Sequence, residues 1–293
     1  MGSGSTANTV QTFWYGGPLS AWEMACLASF APFGHDLHVY SYDRTLVLPP
    51  GAMWRDAGEI LPESEVFFYR DGFGRGSVSA FANLFRYALL RDRGGWWVDT
   101  DVLCLGRLPA SGEGAVVGME SPGRVNSAVI YAPPRHPLPT IAAREALALG
   151  KDVRWGNAGP HLMTRLCLGE AAVDGVSVLP ATTFYPIHWR DVVPMLMLPS
   201  RAREAEAACR NASALHLYNE IFRRRGITKQ KLPPEGSWLR SLFERHHASG
   251  THMAAHTALD VRRATLSYYA RRAREKLSER LATLAPTAAR ARP

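Results

Sequence analysis

An α/β domain is the fold class that this chain predicts, on three observations. A strand, helix, strand succession opens the chain. A long amphipathic helix then runs into an apolar strand that ends in two aspartates. Short apolar runs follow at sheet-like spacing. In order, Val10–Tyr15 reads as a first strand stopped by Gly16-Gly17-Pro18. Ser20 with Glu23 is a capping-box pattern opening a helix towards Phe33. Leu37–Tyr42 reads as a second strand and Val66–Tyr69 as a third, followed by a glycine-rich loop from Asp71 to Gly76. That loop lacks the dinucleotide fingerprint spacing and has only a weak claim on phosphate. Ser79–Arg93 is a helix with Leu84, Phe85, Ala88 and Leu89 on its apolar face and Gly94-Gly95 as its stop. Trp96–Asp101 is the next strand. Further strands are expected at Ala115–Met119, Ser127–Ala132, Val176–Leu179 and Ala214–Tyr218, with a helix at Leu138–Leu149. No internal repeat is present.

The 293 residues suffice for one large core and an appendage, and 46% hydrophobic with 20% charged residues is ordinary for a globular protein. No run of eighteen apolar residues exists, so a spanning helix is not expected. Met1–Ser5 lacks a basic-then-apolar signal pattern, and residues 1–9 read as a flexible leader. Cys26, Cys104, Cys167 and Cys209 are widely spaced without a C-x-x-C pair, which suggests reduced, buried thiols in a cytoplasmic protein. The net charge of +8 is concentrated: Asp260 to Pro293 holds nine basic and three acidic residues, leaving the body nearly neutral. In this tail Leu266, Tyr269, Ala273, Leu277, Leu281 and Leu284 follow helical spacing among arginines. A helix packed on its own domain and a basic amphipathic helix on an anionic membrane both fit that pattern. No nucleic-acid reading module accompanies the charge, so nucleic acid is not an expected partner. The histidines at 246, 247, 252 and 256 lack the glutamate of H-E-x-x-H and read as surface residues.

Asp99 and Asp101 carry the chemistry. Alternate residues of a strand share a face, so both carboxylates can meet one site at the strand's end. Like charges side by side repel, and a hard divalent cation such as Mn²⁺ or Mg²⁺ relieves that while leaving positions open for phosphate oxygens. The same D-x-D pattern also arises as a solvated turn. Asn83 and Arg86, three apart on the preceding helix, can act together.

The stretches F-W-Y-G-G, A-N-L-F-R-Y-A-L-L-R-D-R-G-G-W-W-V-D-T-D, H-L-Y-N and G-S-W-L occur in that order. Together they resemble the glycosyltransferases with a DXD-containing sugar-binding region, family 32 and its relatives. These include fungal initiating mannosyltransferases, α1,4-glycosyltransferases and, more distantly, glucosylating clostridial toxins. The resemblance covers about Thr12 to Phe243 and is most specific in the central block. It implies a GT-A fold: one Rossmann-like nucleotide-sugar-binding domain with a mixed sheet over residues 10–250. The basic helical extension, 251–293, lies outside it. A divalent metal, usually Mn²⁺, and retention of configuration are also implied.

Residue by residue, the resemblance puts Trp14 under the nucleobase, next to Gly16. Asn83 stands where relatives usually have an aspartate on the donor's ribose or sugar, a departure that removes a charge. Arg86 meets the donor sugar or diphosphate, Asp99 the ribose and sugar hydroxyls, and Asp101 the metal. His216 or Asn219 completes the metal shell. Ser237 and Trp238 resemble a late loop closing over the donor's β-phosphate. Trp155, Gly159, Pro160 and His161 look like acceptor-side residues. The implied activity is transfer of a hexose from a nucleotide-sugar, with UDP favoured over GDP, to a hydroxyl of a glycan or lipid-linked acceptor. A toxin-like protein glycosyltransferase shares the same core, and Asn83 leaves room for a catalytically silent sugar-binding scaffold.

Overall fold

The computed structural model describes residues 8–109, 112–246 and 253–284, with side chains omitted at 276 and 278–284. Nine strands run β1 Thr9–Phe13, β2 Asp36–Ser41, β3 Ala52–Asp56, β4 Gly95–Val98, β5 Val102–Cys104, β6 Ala115–Ser121, β7 Arg124–Ala132, β8 Val176–Leu179 and β9 Ala214–His216 among the described residues. Seven make one mixed sheet in the order β3-β2-β1-β4-β7-β6-β8, and β5 with β9 forms a separate two-stranded ladder. From β3 to β4 all neighbours are parallel, β7 is antiparallel to both β4 and β6, and β8 is parallel to β6. The α/β class and the mixed sheet expected from the sequence are both present.

Tryptophans at 96 and 97 show why β4 sits centrally. Successive side chains point to opposite faces, so Trp96 enters the apolar layer with Val10, Trp22 and Tyr131, and Trp97 the layer with Phe13, Phe85 and Ile130. The second layer is closed by helix α2, Ser79–Arg93, by α3, Pro137–Ala148, and by α4, Leu162–Leu168. The first is closed by α1, Ala21–Ala28, with α5, Ala181–Phe184, α6, Val192–Met197, α7, Ala202–Cys209, and α9, Trp238–Arg245. All four cysteines are buried and unpaired in these layers.

Strand order places the crevice. The chain steps outward from β1 to β3, then returns over α2 to add β4 on the other side of β1. Neighbouring strands whose connections leave in opposite directions open a gap at their carboxyl ends, where α/β sheets bind ligands. Trp14 and Asp99 follow directly after β1 and β4, at that gap.

Several expected elements differ. The third strand is Ala52–Asp56 and not Val66–Tyr69. The latter follows a single tight turn, and Tyr69 gives its N–H to Ser77 O and takes that of Gly76, closing the glycine-rich loop instead of joining the sheet. Helix α1 ends at Ala28, before Phe33, because Ser29 turns its hydroxyl back on Cys26 O and Pro32 follows in a separate short turn. The strand expected over Trp96–Asp101 stops at Val98, and that expected over Ala214–Tyr218 stops at His216, where Tyr218 adopts a left-handed backbone with φ of 57°. His256 is not a surface residue: it is buried, its ring bonded to Thr228 O at 2.9 Å. His247 and His252 lie outside the described residues, as do residues 1–7 of the expected leader.

The tail forms helix α10, Ala258–Leu284. Val261 enters the core, while Leu266, Tyr269 and Leu277 are exposed. Arg225 pins this helix to the body, with its guanidinium 5.4 Å from the Tyr268 ring centroid and 5.5 Å from that of Tyr269. Leu281 and Leu284 of the expected stripe lie outside the described side chains.

Gly94 ends α2 with φ of 65°, and a Cβ there would meet Pro134 at 2.7 Å. Gly94→Ala is therefore expected to cost about 1–3 kcal/mol in urea unfolding, more than loss of glycine freedom alone would predict.

Candidate active site

Asp99 and Asp101 converge by a turn and not by strand alternation. Val102 N–H donates to Asp99 O at 3.1 Å, folding Asp99–Val102 back on itself immediately after β4. β5 then pairs antiparallel with β9, setting Val102 opposite His216, and Leu217 N–H extends the ladder to Asp101 O at 2.9 Å. The left-handed turn at Tyr218 opens α8, Asn219–Arg224, and aims the Asn219 N–H at Asp101 Oδ2, 2.8 Å away. His216 Nε2 lies 3.3 Å from Asp101 Oδ1. One potential ligand atom from each of Asp99, Asp101 and His216 falls within 4.8 Å of the other two.

Burial alone would raise the Asp101 pKa, but His216, the Asn219 N–H and Lys229 outweigh it and hold the carboxyl at about 2. His216 is shifted the other way: burial lowers its pKa, and the facing carboxylates of Asp101 and Asp99 more than reverse that. Asp99 is raised, first by burial and then by Asp101, against the pull of Arg86. Two buried polar atoms here, His216 Nδ1 and Asn219 Oδ1, have no hydrogen-bond partner. Two carboxylates, an imidazole and an orphaned amide oxygen form a donor set that fits Mn²⁺ or Mg²⁺.

Arg86 is 3% exposed and committed to its own protein. It lies 3.1 Å from Asp99 Oδ1, donates to Ser127 O, and stacks 5.0 Å from the Trp97 centroid. Trp97 Nε1 also donates to Asp99 Oδ1, at 2.8 Å. The arginine therefore orients Asp99 while lining the cleft in which it was expected to meet the donor sugar or diphosphate. Asn83, one turn earlier, reaches only Tyr69 OH, at 3.4 Å.

These residues line a cleft of about 1200 Å³ together with Trp14, Trp155, Pro160 and Asn219. Trp14 is fixed at its edge by Gly17 O, 2.8 Å from Nε1, and the Lys229 ammonium lies 5.8 Å from its ring centroid. Gly16, with φ of 132°, shapes the turn between them without lining the cleft. Trp155 packs against Tyr69 and Phe73, centroids 5.0 and 4.8 Å away. The glycine-rich loop thus forms a wall, and Gly74, with φ of 87°, is required there because a Cβ would overlap the Trp155 ring at 2.0 Å.

Other expected residues lie apart from the cleft. Gly159 sits behind it, against Asn83 and Ser127, and His161 is exposed and bonded to Asn157. Ser237 is the N-cap of α9, accepting from Arg240 N–H, and Trp238 is buried in the core, so neither closes over this cleft. Sequence reasoning missed Lys229 and the second use of Glu23. The capping-box carboxylate, 1% exposed, also binds Lys229 Nζ and accepts from Asn219 Nδ2 at 3.2 Å. Nothing in the sequence distinguishes Lys229 from a loop lysine, whereas a glutamate serving both a cap and a buried lysine is recognisable only in three dimensions.

The fold and site together define an α/β protein with a carboxylate–histidine centre beside an aromatic platform, in the crevice where such sheets hold nucleotides. Comparison with known proteins narrows the class. Residues 135–246 match the alpha 1,4-glycosyltransferase conserved region, so the chain carries a glycosyltransferase-family segment that contains His216, Asn219 and Lys229. Lactosylceramide 4-alpha-galactosyltransferase of Pongo pygmaeus is 33% identical over 115 residues, covering 36% of this chain and 52% of that protein. The Homo sapiens protein of the same name is also 33% identical, over 36% of this chain and 32% of its own. The chain thus spans about half or less of the length of the curated relatives it matches. Among solved structures, the PaToxG glycosyltransferase aligns with a TM-score of 0.42 at 10% identity, over 82% of this chain and 85% of its own. The WbbM bifunctional glycosyltransferase aligns with a TM-score of 0.40 at 11% identity, over 90% and 52%.

A protonated His216 cannot ligate, and its pKa lies above the ordinary histidine value. Mn²⁺ affinity, followed by calorimetry, is therefore expected to rise with pH from about 6 to about 8, by up to roughly tenfold per unit below the His216 pKa. His216→Gln should flatten that dependence. Gly74→Ala should displace Trp155, visible as a changed near-UV circular dichroism signal with the far-UV spectrum retained.

Proposed function

We propose that this chain is a metal-dependent, retaining glycosyltransferase. It moves a hexose from a nucleotide-sugar, with UDP the favoured carrier, to a hydroxyl of a glycan or lipid-linked acceptor, as in surface polysaccharide synthesis. The observation that carries this reading is the convergence of Asp99, Asp101 and His216 beside Trp14 at the sheet's switch point, in a chain with an alpha 1,4-glycosyltransferase conserved region. The relatives are named for lactosylceramide and galactosyl transfer, so a galactosyl donor with a galactoside-ended acceptor is the first pair to test.

Asp101 and His216, with Asp99 and the Asn219 amide oxygen, are the groups to hold Mn²⁺ or Mg²⁺. When bound there, the metal acts as a Lewis acid that stabilises the leaving diphosphate. Trp14 offers its face to the base. Lys229, between that ring and Asp101, adds positive charge where the phosphate gains negative charge. Arg86 keeps Asp99 turned towards the donor hydroxyls. The remaining cleft carboxylates are already committed: Glu23 to Lys229, Glu120 to Arg124 and Glu220 to Arg223. That favours front-face attack by the acceptor hydroxyl, with its proton passing to the departing phosphate, over a covalent intermediate on the enzyme. The Trp155 wall takes the acceptor and excludes water that would otherwise hydrolyse the donor. The exposed, arginine-rich α10 suits peripheral contact with an anionic inner membrane face and so a cytoplasmic location. No helix among the described residues is long and apolar enough to cross a membrane.

The test is hydrolysis and transfer from a panel of UDP- and GDP-hexoses with Mn²⁺. Asp101→Ala and Asp99→Ala should each lower turnover by on the order of 100-fold or more while thermal unfolding stays cooperative. Undiminished turnover of Asp101→Ala in EDTA would sink the proposal.

A further inference from the structure

The cleft is also lined by α8 and the tail helix α10, which bring charge of the opposite sign to that of the aspartates. Arg223 and Arg224 of α8 and Arg272 with Tyr268 of α10 line this rim. Two of the guanidiniums have local carboxylates: Arg223 pairs with Glu220 at 2.7 Å, and Arg272 reaches Glu275 at 3.4 Å. Arg224 has none among the described residues. Its guanidinium carbon stands 4.0 Å from the Phe73 ring centroid, and Phe73 is the residue that supports Trp155. Arg224 therefore belongs to the Trp155 wall.

More positive charge backs this rim. Arg271 donates to Arg224 O at 2.8 Å and carries no ion pair among the described residues. Arg225, 5% exposed, donates from Nη2 to Arg190 O at 2.9 Å, but among the described residues it has no carboxylate and its buried Nε and Nη1 have no hydrogen-bond partner. Arg225 and Arg271 both approach the Tyr268 ring, at 5.4 and 5.9 Å, so two like charges meet at one aromatic ring. Aromatic faces offset part of that repulsion, and the partial negative charge at the C-terminus of α8 offsets a little more. An anion at the rim would offset it better, and planar forked donors match phosphate oxygens.

We propose that this rim is an acceptor subsite for a phosphate group, and that the acceptor glycan or lipid carries such a phosphate besides the sugar hydroxyl that reacts. This rests on the glycosyltransferase reading for the word acceptor alone; the anion site stands on the arginines themselves. In it, Arg224 and Arg272 grip the phosphate from two elements, with Tyr268 on the same rim and Arg225 packed against the α10 tyrosines. The sugar hydroxyl of such an acceptor then points along the Trp155 wall towards Asp99.

The full chain in EDTA, which keeps the carboxylate end silent, should bind glucose 6-phosphate at least about tenfold more tightly than glucose, read by tryptophan fluorescence. Vesicles of phosphatidylcholine doped with phosphatidic acid, against phosphatidylcholine alone, form the second arm. Preference for the soluble probe marks a phosphorylated glycan, and preference for the doped vesicles a lipid phosphate. The double variant Arg224→Ala, Arg272→Ala should lose about tenfold or more in the favoured arm. The Arg224→Lys, Arg272→Lys pair, which keeps charge and folding but not the fork, should lose less. Equal binding of charged and neutral probes, or a preference that survives the alanine pair, overturns the proposal. Mn²⁺-dependent UDP binding is measured separately, so its failure would count against the donor reading and leave the arginine result intact.

Discussion

Asp101 is held through both its backbone and its side chain by one short segment, and the β5–β9 ladder makes this possible. Leu217 N–H reaches the Asp101 carbonyl, His216 and the Asn219 N–H reach the carboxylate, and the register of three paired residues sets all of them at once. A slip of one residue would turn His216 to the opposite face of the ladder. The left-handed backbone at Tyr218 is the strained point of the arrangement, tolerated because its neighbours on both sides are fixed. The carboxylate is thereby kept ionised although it is buried, which is the condition for ligating a metal.

Glu23 ties this centre to helix α1 in the same layer. Its carboxylate caps α1, takes the amide of Asn219 and binds Lys229, so one buried charge joins the helix after β1, the segment after β9 and the loop after α8. Burial of an unpaired glutamate would cost several kcal/mol, and the lysine offsets this only while the surrounding loops hold their positions. The Trp14 platform is part of the same set, because Lys229 lies close to its ring. The Trp14 ring, the carboxylate–histidine cluster and the helix cap therefore stand or fall together.

The sequence conveyed the layers well, because period-two and period-3.6 patterns report burial directly: Trp96 and Trp97 part to the two faces as their alternation requires. Through its ordered motifs it also singled out Asp99, Asp101 and His216, which the structure brings together. It conveyed less wherever a function depends on contacts distant along the chain. Arg86 looked free on its helix, yet Asp99, Ser127 and Trp97 converge on it only after β4 and β7 pair. Ser237 and Trp238 formed a plausible loop motif, but a helix starting at Trp238 turns the serine into its cap and the tryptophan into the core. The strand at Ala52–Asp56 was missed because its residues are only half-buried at the sheet's edge, where alternation is weak.

The cleft is assembled from segments that meet only in space. Its carboxylate–histidine cluster comes from the segments after β4 and at β9, while Tyr268 and Arg272 of its lining come from α10. Such a division lets the two parts diverge independently. An exchanged or remodelled terminal helix would redirect what enters the cleft without disturbing the carboxylate–histidine cluster, so a single appended element is enough to retune access to an otherwise unchanged core.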